Sequence, residues 1–291
     1  MVVSSSFRFY SKQEDKTLIT VSGISKSFKV ARRSSGFGSA FKALFRREYT
    51  EVAALSDISF SIGPGEIVGY IGPNGAGKST TIKVMSGILV PDAGTCEIMG
   101  YTPWLDRVKY VRNIGVVFGQ RSQLWWDVPV IDSFELLRDI YDVSEKEYRS
   151  NLELLTETLD LGELLKTPVR QLSLGQRMRC EIAASLLHGP GILFLDEPTI
   201  GLDAVSKIAV RRFISAINKE KGVTVILTTH DMSDIEALAR RILLIGKGKL
   251  LYDGDLAAMR EKYGAAEGGD TGGGSAIEEA LVNMYKEYEI S

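Results

Sequence analysis

Apolar runs and amphipathic stretches alternate along the C-terminal half of the chain. The short apolar runs at 191–195, 223–227 and 242–245 predict buried strands, and the periodic stretches 205–219 and 232–239 between them predict helices. Strands that are joined through helices run parallel, and a parallel sheet is covered by helices on both faces. The pattern therefore predicts an α/β fold with a mostly parallel sheet.

The N-terminal half starts with strand-like patterns and then becomes helical. A first strand is predicted at 18–21, and strand-like alternation resumes at 52–62. Residues 121–175 show mainly the helical period, most clearly at 133–143 and 146–159. We interpret this block as a helical subdomain that is inserted into the α/β core.

Both ends of the chain are expected to lie outside the globular domain. Residues 1–16 are polar and predict a flexible tail. The stretch 264–275 is rich in glycine and acidic residues, which is typical of a flexible linker, and 276–288 has the pattern of a short helix. We therefore expect one domain at 17–255, followed by a linker and a C-terminal helix within 256–291.

The segment 31–50 combines basic residues with a periodic apolar face. Its basic residues are Arg32, Arg33, Lys42, Arg46 and Arg47, and its apolar residues Phe37, Phe41, Leu44 and Phe45 fall on one helical face. A basic amphipathic helix of this kind can lie on an anionic membrane surface. The alternative is a solvated insertion that packs its aromatic residues onto its own domain, and the sequence does not choose between the two.

Composition narrows the class of protein. The chain has 291 residues, 44% of them hydrophobic and 25% charged, as in ordinary soluble domains. Its net charge of −2 argues against sequence-independent nucleic-acid binding, and its two cysteines predict no disulfide framework. The start of the chain lacks the apolar region of a secretory signal, and no stretch approaches the roughly 18–20 apolar residues that span a bilayer. Any membrane role is therefore expected to come through a partner.

A glycine-rich loop carries the strongest chemical signal. It reads Gly72-Pro73-Asn74-Gly75-Ala76-Gly77-Lys78-Ser79. An apolar run at 66–71 precedes it and a helical pattern at 80–85 follows it, which is the strand–loop–helix context of a phosphate-binding loop. Backbone N–H groups and the helix dipole attract phosphate there, Lys78 adds a charge for the β- and γ-phosphates, and Ser79 offers a hydroxyl to Mg²⁺. The loop predicts binding of a nucleoside triphosphate.

Polar residues follow two of the apolar strands. Asp196 and Glu197 end the run at 192–195, so a parallel sheet would place them beside the phosphate loop. Asp196 is suited to hold Mg²⁺, and Glu197 to orient and deprotonate a water that attacks the γ-phosphate. His230 follows the next strand, where it can hydrogen-bond the γ-phosphate. His188 is interpreted as a helix C-terminal residue that meets the last carbonyls, without a catalytic role.

One further motif reveals a family resemblance. Leu172-Ser173-Leu174-Gly175-Gln176, which ends 20 residues before Asp196, resembles the signature sequence of ABC transporter ATPases. The resemblance covers nearly all of 18–255. It implies a P-loop NTPase core with a mostly parallel sheet, an antiparallel β-subdomain and an inserted helical subdomain. It also implies a homodimer in which two copies close head-to-tail around two ATP molecules, so that the signature of one copy caps the ATP of the other.

The resemblance assigns roles residue by residue. Phe28 corresponds to the aromatic that stacks on adenine, the loop from Gly72 to Ser79 with Thr80 to the phosphate site, and Asp203 to the dimer-contact loop. Gln120 corresponds to a glutamine that touches Mg²⁺ and links the site to the membrane partner, so Ser79, Gln120 and Asp196 are the expected metal ligands. The capping residues of the signature correspond to Ser173, Gly175 and Gln176, the catalytic base to Glu197 and the switch histidine to His230.

The chain departs from the family pattern at three places. Leu174 replaces the first glycine of the signature, and leucine does not adopt φ > 0 freely, so we expect a different local backbone or a side chain that points away. Gly119 separates Phe118 from Gln120, where family members commonly have Phe-Gln. The insertion at 31–50 lengthens the loop after Phe28.

The resemblance also gives the leading hypothesis for function. It implies the ATP-hydrolysing subunit of a transporter on the cytoplasmic side of the membrane, with separate permease subunits and with a tilt toward export. Trp125 and Trp126 lie where the family receives a permease helix, although core packing is the alternative for such a pair. A soluble family ATPase acting on ribosomes or DNA is the second hypothesis, but the chain has one motif set and no heptad run. A P-loop kinase or GTPase is disfavoured by the absence of an Asn-Lys-x-Asp motif.

Overall fold

The computed structural model describes residues 17–31, 49–119, 121–263 and 276–288. Two sheets organise them. A three-stranded antiparallel sheet has the order β2-β1-β4, with bounds β1 Ile19–Ala31, β2 Tyr49–Ile62 and β4 Ala93–Ile98. A six-stranded sheet has the order β5-β6-β7-β3-β8-β9, with bounds β3 Ile67–Ile71, β5 Ile114–Phe118, β6 Ile192–Asp196, β7 Thr224–Thr228, β8 Arg241–Gly246 and β9 Lys249–Asp255. Only β9 runs antiparallel in the larger sheet.

The helices lie between and after these strands in the chain. Their bounds are α1 Lys78–Met85, α2 Arg107–Tyr110, α3 Val130–Tyr141, α4 Glu145–Leu159, α5 Leu174–Ala184, α6 Ala204–Lys221, α7 Met232–Leu238, α8 Leu256–Tyr263 and α9 Ala276–Glu287. The predicted fold class is confirmed: a mostly parallel sheet, an antiparallel sheet and a helical segment between β5 and β6. Within the described residues, no helix has the length and apolar character needed to cross a membrane.

The central strands are buried on both faces. Along β6, Ile192 and Phe194 pack into the cluster shared with the antiparallel sheet, whereas Leu193 and Leu195 pack into the cluster shared with α5 and α6. This alternation follows the period of two in a strand, and burial on both sides explains why the strand reads as a continuous apolar run. Its last residue, Asp196, therefore emerges from the core at the carboxyl edge of the sheet.

The first strand is much longer than the sequence predicted. The strand predicted at 18–21 is the start of β1, which pairs with β2 as far as Ala31. The register shifts between Val21 and Ile24, where Gly23 has φ +62°, and again before Ser27. Each irregularity changes which side chains face the core, so the alternation that reveals a strand is lost.

The segment predicted as a basic insertion begins and ends within paired strands. Ala31 pairs with Tyr49 and Val30 with Thr50, so both ends of the segment 31–50 belong to the β1–β2 pair. The predicted amphipathic helix, with its basic and aromatic residues, falls in 32–48 and lies outside the described residues. The predicted tail 1–16 and linker 264–275 also lie outside them.

Some elements had no prediction, and helix bounds differ by a few residues. Strands β4, β5 and β9 were not predicted, and helix α5 was predicted only through the interpretation of His188 as a helix C-terminal residue, although the helix ends at Ala184. Helix α3 begins at Val130 rather than at Ser133, whose hydroxyl instead accepts a hydrogen bond from the Trp125 N–H at 3.1 Å. Helix α9 packs onto α8, with Ala280, Leu281 and Met284 buried in the same cluster as α5 and α6.

Candidate functional site: the nucleotide cavity

The phosphate loop is held against two strands at positions where only glycine fits. It connects β3 to α1, and a Cβ at Gly72 would lie 2.2 Å from the Ile245 carbonyl oxygen of β8. Gly77 is the N-cap of α1 with φ +112°, and a Cβ there would lie 2.6 Å from the Ala54 oxygen of β2. The glycines thus let the loop approach the neighbouring backbone, so the loop lies over the N-terminus of α1.

Lys78 is fixed beneath the loop. Its side chain is buried, and Nζ donates to the carbonyl oxygens of Gly72 at 2.6 Å and Pro73 at 3.2 Å. Burial lowers the pKa of Lys78, and the carboxylates of Glu197 and Asp196 partly offset that effect. The ammonium is therefore placed at the loop and faces two carboxylates from the neighbouring strand end.

Asp196 joins three elements at the carboxyl edge of the sheet. Its Oδ1 accepts from the Ser79 hydroxyl of α1 at 3.2 Å and from the Thr228 hydroxyl of β7 at 2.6 Å. Thr228 and Asp196 are register partners in the parallel β6–β7 pair, which is why they meet. A hydroxyl and a carboxylate side by side are hard oxygen donors of the kind that Mg²⁺ prefers.

Glu197 is held in an unusual backbone conformation that aims it at the same place. Its φ is +56°, a region that costs a non-glycine residue about 1 kcal/mol or more, and its N–H donates to the Thr228 carbonyl at 3.0 Å. Its Oε2 lies 2.9 Å from Nδ1 of His230. The Glu197 side chain is 18% exposed and that of His230 58% exposed, so the carboxylate is sheltered and the imidazole is open to solvent.

These residues line one cavity of about 550 Å³. It contains most of the predicted phosphate and metal residues, namely Pro73, Asn74, Gly75, Gly77, Lys78, Ser79, Thr80, Asp196, Glu197 and His230. Gly72 and Ala76 complete the loop without lining the cavity. Ala54, Lys83, Ile88, Phe118, Gly119, Arg121 and Ile200 supply the remaining wall. The phosphate-loop ammonium, the candidate metal ligands Ser79 and Asp196, and the candidate base therefore meet at a single cavity.

The chain is similar to known proteins. A family model described as "ABC transporter" matches residues 55–200, which is half of the chain. The ABC transporter ATP-binding protein NatA of Bacillus subtilis (strain 168) is 30% identical over 217 residues, covering 75% of this chain and 88% of NatA. The chain belongs to the ABC transporter family. Within it, the chain is an ATP-binding protein and an ABC-type ATPase.

Other relatives of this ABC ATPase are longer than it is. The probable multidrug ABC transporter ATP-binding protein YbhF of Escherichia coli (strain K12) is 32% identical over 84% of this chain, which spans 41% of YbhF. ABC transporter A family member 1 of Dictyostelium discoideum is 31% identical over 79% of this chain, which spans 26% of that protein. The likeness to both concerns one part of a longer polypeptide.

Solved structures show the same fold. A structure described as an ATP binding subunit of an ABC transporter matches with a TM-score of 0.73 at 25% identity, covering 92% of this chain and 99% of the other. The dimeric structure of the bacterial ABC transporter cassette MJ0796 matches with a TM-score of 0.68 at 25% identity, covering 82% and 98%. The two-sheet architecture is therefore that of ABC ATPases.

The signature residues of this ABC ATPase lie away from the cavity. Ser173 is the N-cap of α5 and forms a capping box with Gln176, in which the Ser173 N–H donates to Gln176 Oε1 at 2.9 Å and the Gln176 N–H to Ser173 Oγ at 3.2 Å. Asp203 is the N-cap of α6 and accepts from the Ser206 N–H at 2.9 Å. A Cβ on Gly175 would lie 2.3 Å from Ser206 Oγ, so the two helix starts touch.

Leu174 needs no unusual backbone. It is the first residue of α5, and it is absent from the described residues with positive φ. Its side chain is partly exposed and reaches toward Gly201, where an added Cβ would meet Leu174 Cδ2 at 2.9 Å. The leucine therefore begins a regular helix and points toward the loop before α6.

Close backbone packing explains why residue 119 is a glycine. Its N–H donates to the Asp196 carbonyl at 2.8 Å, and a Cβ on it would lie 2.4 Å from the Glu197 oxygen. The backbone after β5 thus runs directly against the Asp196–Glu197 strand end. Gln120, which follows, lies outside the described residues, whereas Gly119 and Arg121 on either side line the cavity.

Two other predicted positions are exposed. Phe28 is 38% exposed on β1, does not line the cavity, and has the Lys26 ammonium 5.9 Å from its ring centroid. Trp125 and Trp126 are 58% and 53% exposed, so core packing is the wrong account of this pair. The Arg177 guanidinium of α5 lies 5.9 Å from the Trp126 ring.

Sequence reasoning missed Thr228 and Arg121. Thr228 ends the apolar run of β7 two residues before His230, so a polar residue at a strand end was the available signal. Arg121 adjoins Gln120 and lines the cavity, but a single exposed arginine carries no signal in the sequence.

Proposed function

We propose that this ABC ATPase hydrolyses MgATP and powers export through separate permease subunits. The observation that carries the proposal is the meeting of Lys78, Ser79, Asp196, Glu197 and His230 at one cavity. An ammonium and backbone N–H groups bind the phosphates, and a carboxylate lies opposite them at the sheet edge. This arrangement suits phosphoryl transfer to water, in which positioning and charge stabilisation provide most of the catalysis.

Mg²⁺ is the expected metal. The Ser79 hydroxyl and the Asp196 carboxylate, 3.2 Å apart, form an all-oxygen donor pair that fits it, and Gln120 is the third expected ligand. When bound with ATP, the metal neutralises developing charge on the phosphates. The residues of the chain then have distinct roles: Lys78 holds the β- and γ-phosphates, and Glu197 takes the proton from the attacking water. His230 orients Glu197 through their 2.9 Å contact and contacts the γ-phosphate.

A second copy of the chain is needed to complete the site. Ser173, Gly175, Gln176 and Asp203 do not line the cavity that holds Lys78. In a head-to-tail homodimer, the exposed start of α5 would cap the ATP that the other copy binds, and Asp203 would lie at the contact. The dimeric form of MJ0796, a cassette with the same fold, supports this arrangement. Phe28 would stack on the adenine ring.

The partner and direction follow from the surface and the relatives. Trp125 and Trp126 are exposed next to the cavity wall, and exposed tryptophans are strong anchors for a protein partner. We propose that they receive a permease helix on the cytoplasmic side of the membrane. The name of YbhF, a probable multidrug transporter protein, favours export as the direction. A soluble role on ribosomes or DNA has no feature of the described residues in its favour.

Glu197→Gln tests the proposal. The substitution keeps the shape of the side chain but removes the base, so hydrolysis should slow by roughly 10²–10⁴ while MgATP binding persists. Trapped ATP should then hold two copies together, which sedimentation in the presence of MgATP detects. Glu163→Gln, at an exposed glutamate after α4, is the matched control and should behave as the wild type. Normal turnover by Glu197→Gln, or a monomer under all conditions, would rule the mechanism out.

A further inference from the structure

Glu181 is a buried carboxylate that lies outside the nucleotide cavity. It stands on α5, and only 5% of the residue is exposed. Burial raises its pKa, and hydrogen bonds from Ser122 and from the backbone after it act in the opposite direction. A buried carboxylate is costly unless its oxygens are paired, so its partners indicate what it is for.

Its partners all lie in the short segment 121–126, which follows β5. The Ser122 hydroxyl donates to Oε1 of Glu181, and the Gln123 N–H donates to Oε2 at 3.1 Å. The Gln123 side-chain amide donates to the Glu181 main-chain carbonyl at 3.0 Å. One residue of α5 therefore binds this segment through both side-chain oxygens and through its backbone.

A second contact lies one turn earlier on the same face of α5. Arg177 is four residues before Glu181, a spacing that places both on one side of the helix. Its guanidinium lies 5.9 Å from the ring of Trp126. Glu181 of the helix thus contacts the start of the segment, and Arg177 contacts the exposed end of the segment.

The segment connects the nucleotide cavity to the exposed tryptophans. At one end Arg121 lines the cavity, and at the other Trp125 and Trp126 are exposed. A smaller cavity of about 240 Å³, lined by Glu181 and Ser122 among others, shares Ile88, Phe118 and Arg121 with the nucleotide cavity. Because the Trp125 N–H is bonded to Ser133 of α3, the segment is fixed on both sides of Leu124.

We propose that Glu181 is a positioning residue that couples α5 to segment 121–126. Helix α5 starts with the signature residues, so a displacement of α5 on nucleotide binding is passed through Glu181 to the two tryptophans. This inference rests on the proposed function, because it needs α5 to respond to MgATP. Glu181 contacts no reacting atom, and its role is to hold the segment in register with the helix.

Hydrogen exchange measured by mass spectrometry on the full chain separates the two proposals. Peptides from 72–85 report the phosphate loop, and peptides from 121–128 report the segment. In the wild type, MgATP should slow exchange in both. In Glu181→Ala without nucleotide, exchange in 121–128 should rise on the order of 10-fold, because the Gln123 N–H loses its buried side-chain acceptor. With MgATP, the loop should still be protected and the segment should no longer respond.

Three further variants complete the design. Glu181→Gln keeps one accepting oxygen and should retain part of the nucleotide response. Glu157→Ala, at an exposed glutamate of α4, is the control and should match the wild type. Ser122→Ala removes only the hydroxyl that donates to Glu181, and it should weaken the MgATP response of the segment. If Glu181→Ala does not fold, this variant tests the coupling instead.

Each outcome decides one of the two ideas. A segment that keeps its full MgATP response in Glu181→Ala overturns the coupling, and so does an increase in exchange that is equal in all peptides, because Glu181 would then be merely structural. A wild-type segment that ignores MgATP while 72–85 is protected also overturns it. If MgATP fails to protect 72–85 in the wild type, the nucleotide site itself is wrong, and the nucleotide-free comparison still decides whether Glu181 holds the segment.

Discussion

The two histidines show how the surroundings of a residue decide its role. His230 is exposed and lies 2.9 Å from the Glu197 carboxylate. His188 stacks on Tyr141 with ring centroids 4.0 Å apart, and its Nε2 lies 3.0 Å from the Ile114 carbonyl. The prediction that His188 meets the last carbonyls of its own helix is wrong, because its acceptor stands at the start of β5. Only the packing of α5 against that strand brings the two together.

His188 should make stability depend on pH. Burial lowers its pKa from 6.5 to about 4, so the unfolded chain binds a proton there more readily than the folded one. Neutral His188 makes its full contribution to the free energy of unfolding above about pH 6.5. That contribution is lost as the pH falls toward 4. We expect a loss on the order of 1–2 kcal/mol by pH 5. Denaturant unfolding of the wild type and of His188→Phe at pH 7.5 and pH 5 measures it, and equal pH dependence in both would contradict it.

Nucleotide affinity is expected to depend on Lys78. In Lys78→Ala the phosphates lose their only buried ammonium among the described lining residues of the cavity, so tight ATP binding should disappear. Lys83→Ala, another lysine that lines the cavity but belongs to the following turn of α1, is the comparison and should bind much more tightly than Lys78→Ala. Isothermal titration with MgATP gives both affinities. Retained affinity in Lys78→Ala would disprove the assigned phosphate site.

At the scale of elements, the starts of α5 and α6 form one unit. Both helices are capped by their own side chains, Ser173 in the first and Asp203 in the second, and Gly175 allows the two to touch. The signature residues thus have a local structural role in addition to the proposed contact with ATP. Any change at this contact should alter the position of α5 relative to the loop that carries Asp203.

Gly175→Ala should destabilise the protein although alanine favours helices. The added methyl would lie 2.3 Å from Ser206 Oγ and 2.9 Å from Ser206 Cβ, and rotation of the hydroxyl does not relieve the second contact. Overpacking of this kind costs about 1–3 kcal/mol, more than the ~1 kcal/mol gained in helix propensity. Ser206→Gly in the same chain removes both atoms and should restore the lost stability. Denaturant midpoints test this, and a double variant no more stable than Gly175→Ala would refute the contact.

At the scale of the whole molecule, the six-stranded sheet separates two hydrophobic clusters and brings its polar strand ends to one edge. Asp196, Thr228 and the phosphate loop meet there because β6, β7 and β3 are neighbours in a parallel order. The exposed tryptophans lie at the other end of segment 121–126, where α3 and α5 fix its position. In the described part of the chain, the phosphate-loop cavity and the exposed Trp125–Trp126 pair thus lie at the two ends of the same segment.

Replacing both tryptophans should separate nucleotide chemistry from partner binding. In Trp125→Ala/Trp126→Ala, an exposed aromatic pair is lost, so the proposed permease partner, expected to co-purify with the wild type, should no longer be recovered. MgATP binding by the isolated protein should change little, since neither ring lines the cavity. Ile140→Ala, at another exposed apolar residue on α3, is the control. Permease recovery equal to that of the wild type would place the docking surface elsewhere.

Local motifs carry most of what the sequence by itself determined. The phosphate loop from Gly72 to Ser79 and the Asp196–Glu197 pair are each encoded within a few consecutive residues. The α/β alternation is local in the same sense, since each run reports its own burial. These features could be predicted because their spacing follows from strand, turn and helix geometry alone.

The tertiary structure decided the contacts between residues that are far apart in the chain. Thr228 binds Asp196, Glu181 holds Ser122 and Gln123, and Gly119 lies against Glu197, all across tens of residues. The bulges in β1 interrupt its alternation of apolar and polar residues, so the sequence pattern did not show the full length of the strand. Register and packing choose these partners, and they depend on how all strands and helices fit together rather than on the composition of any one segment.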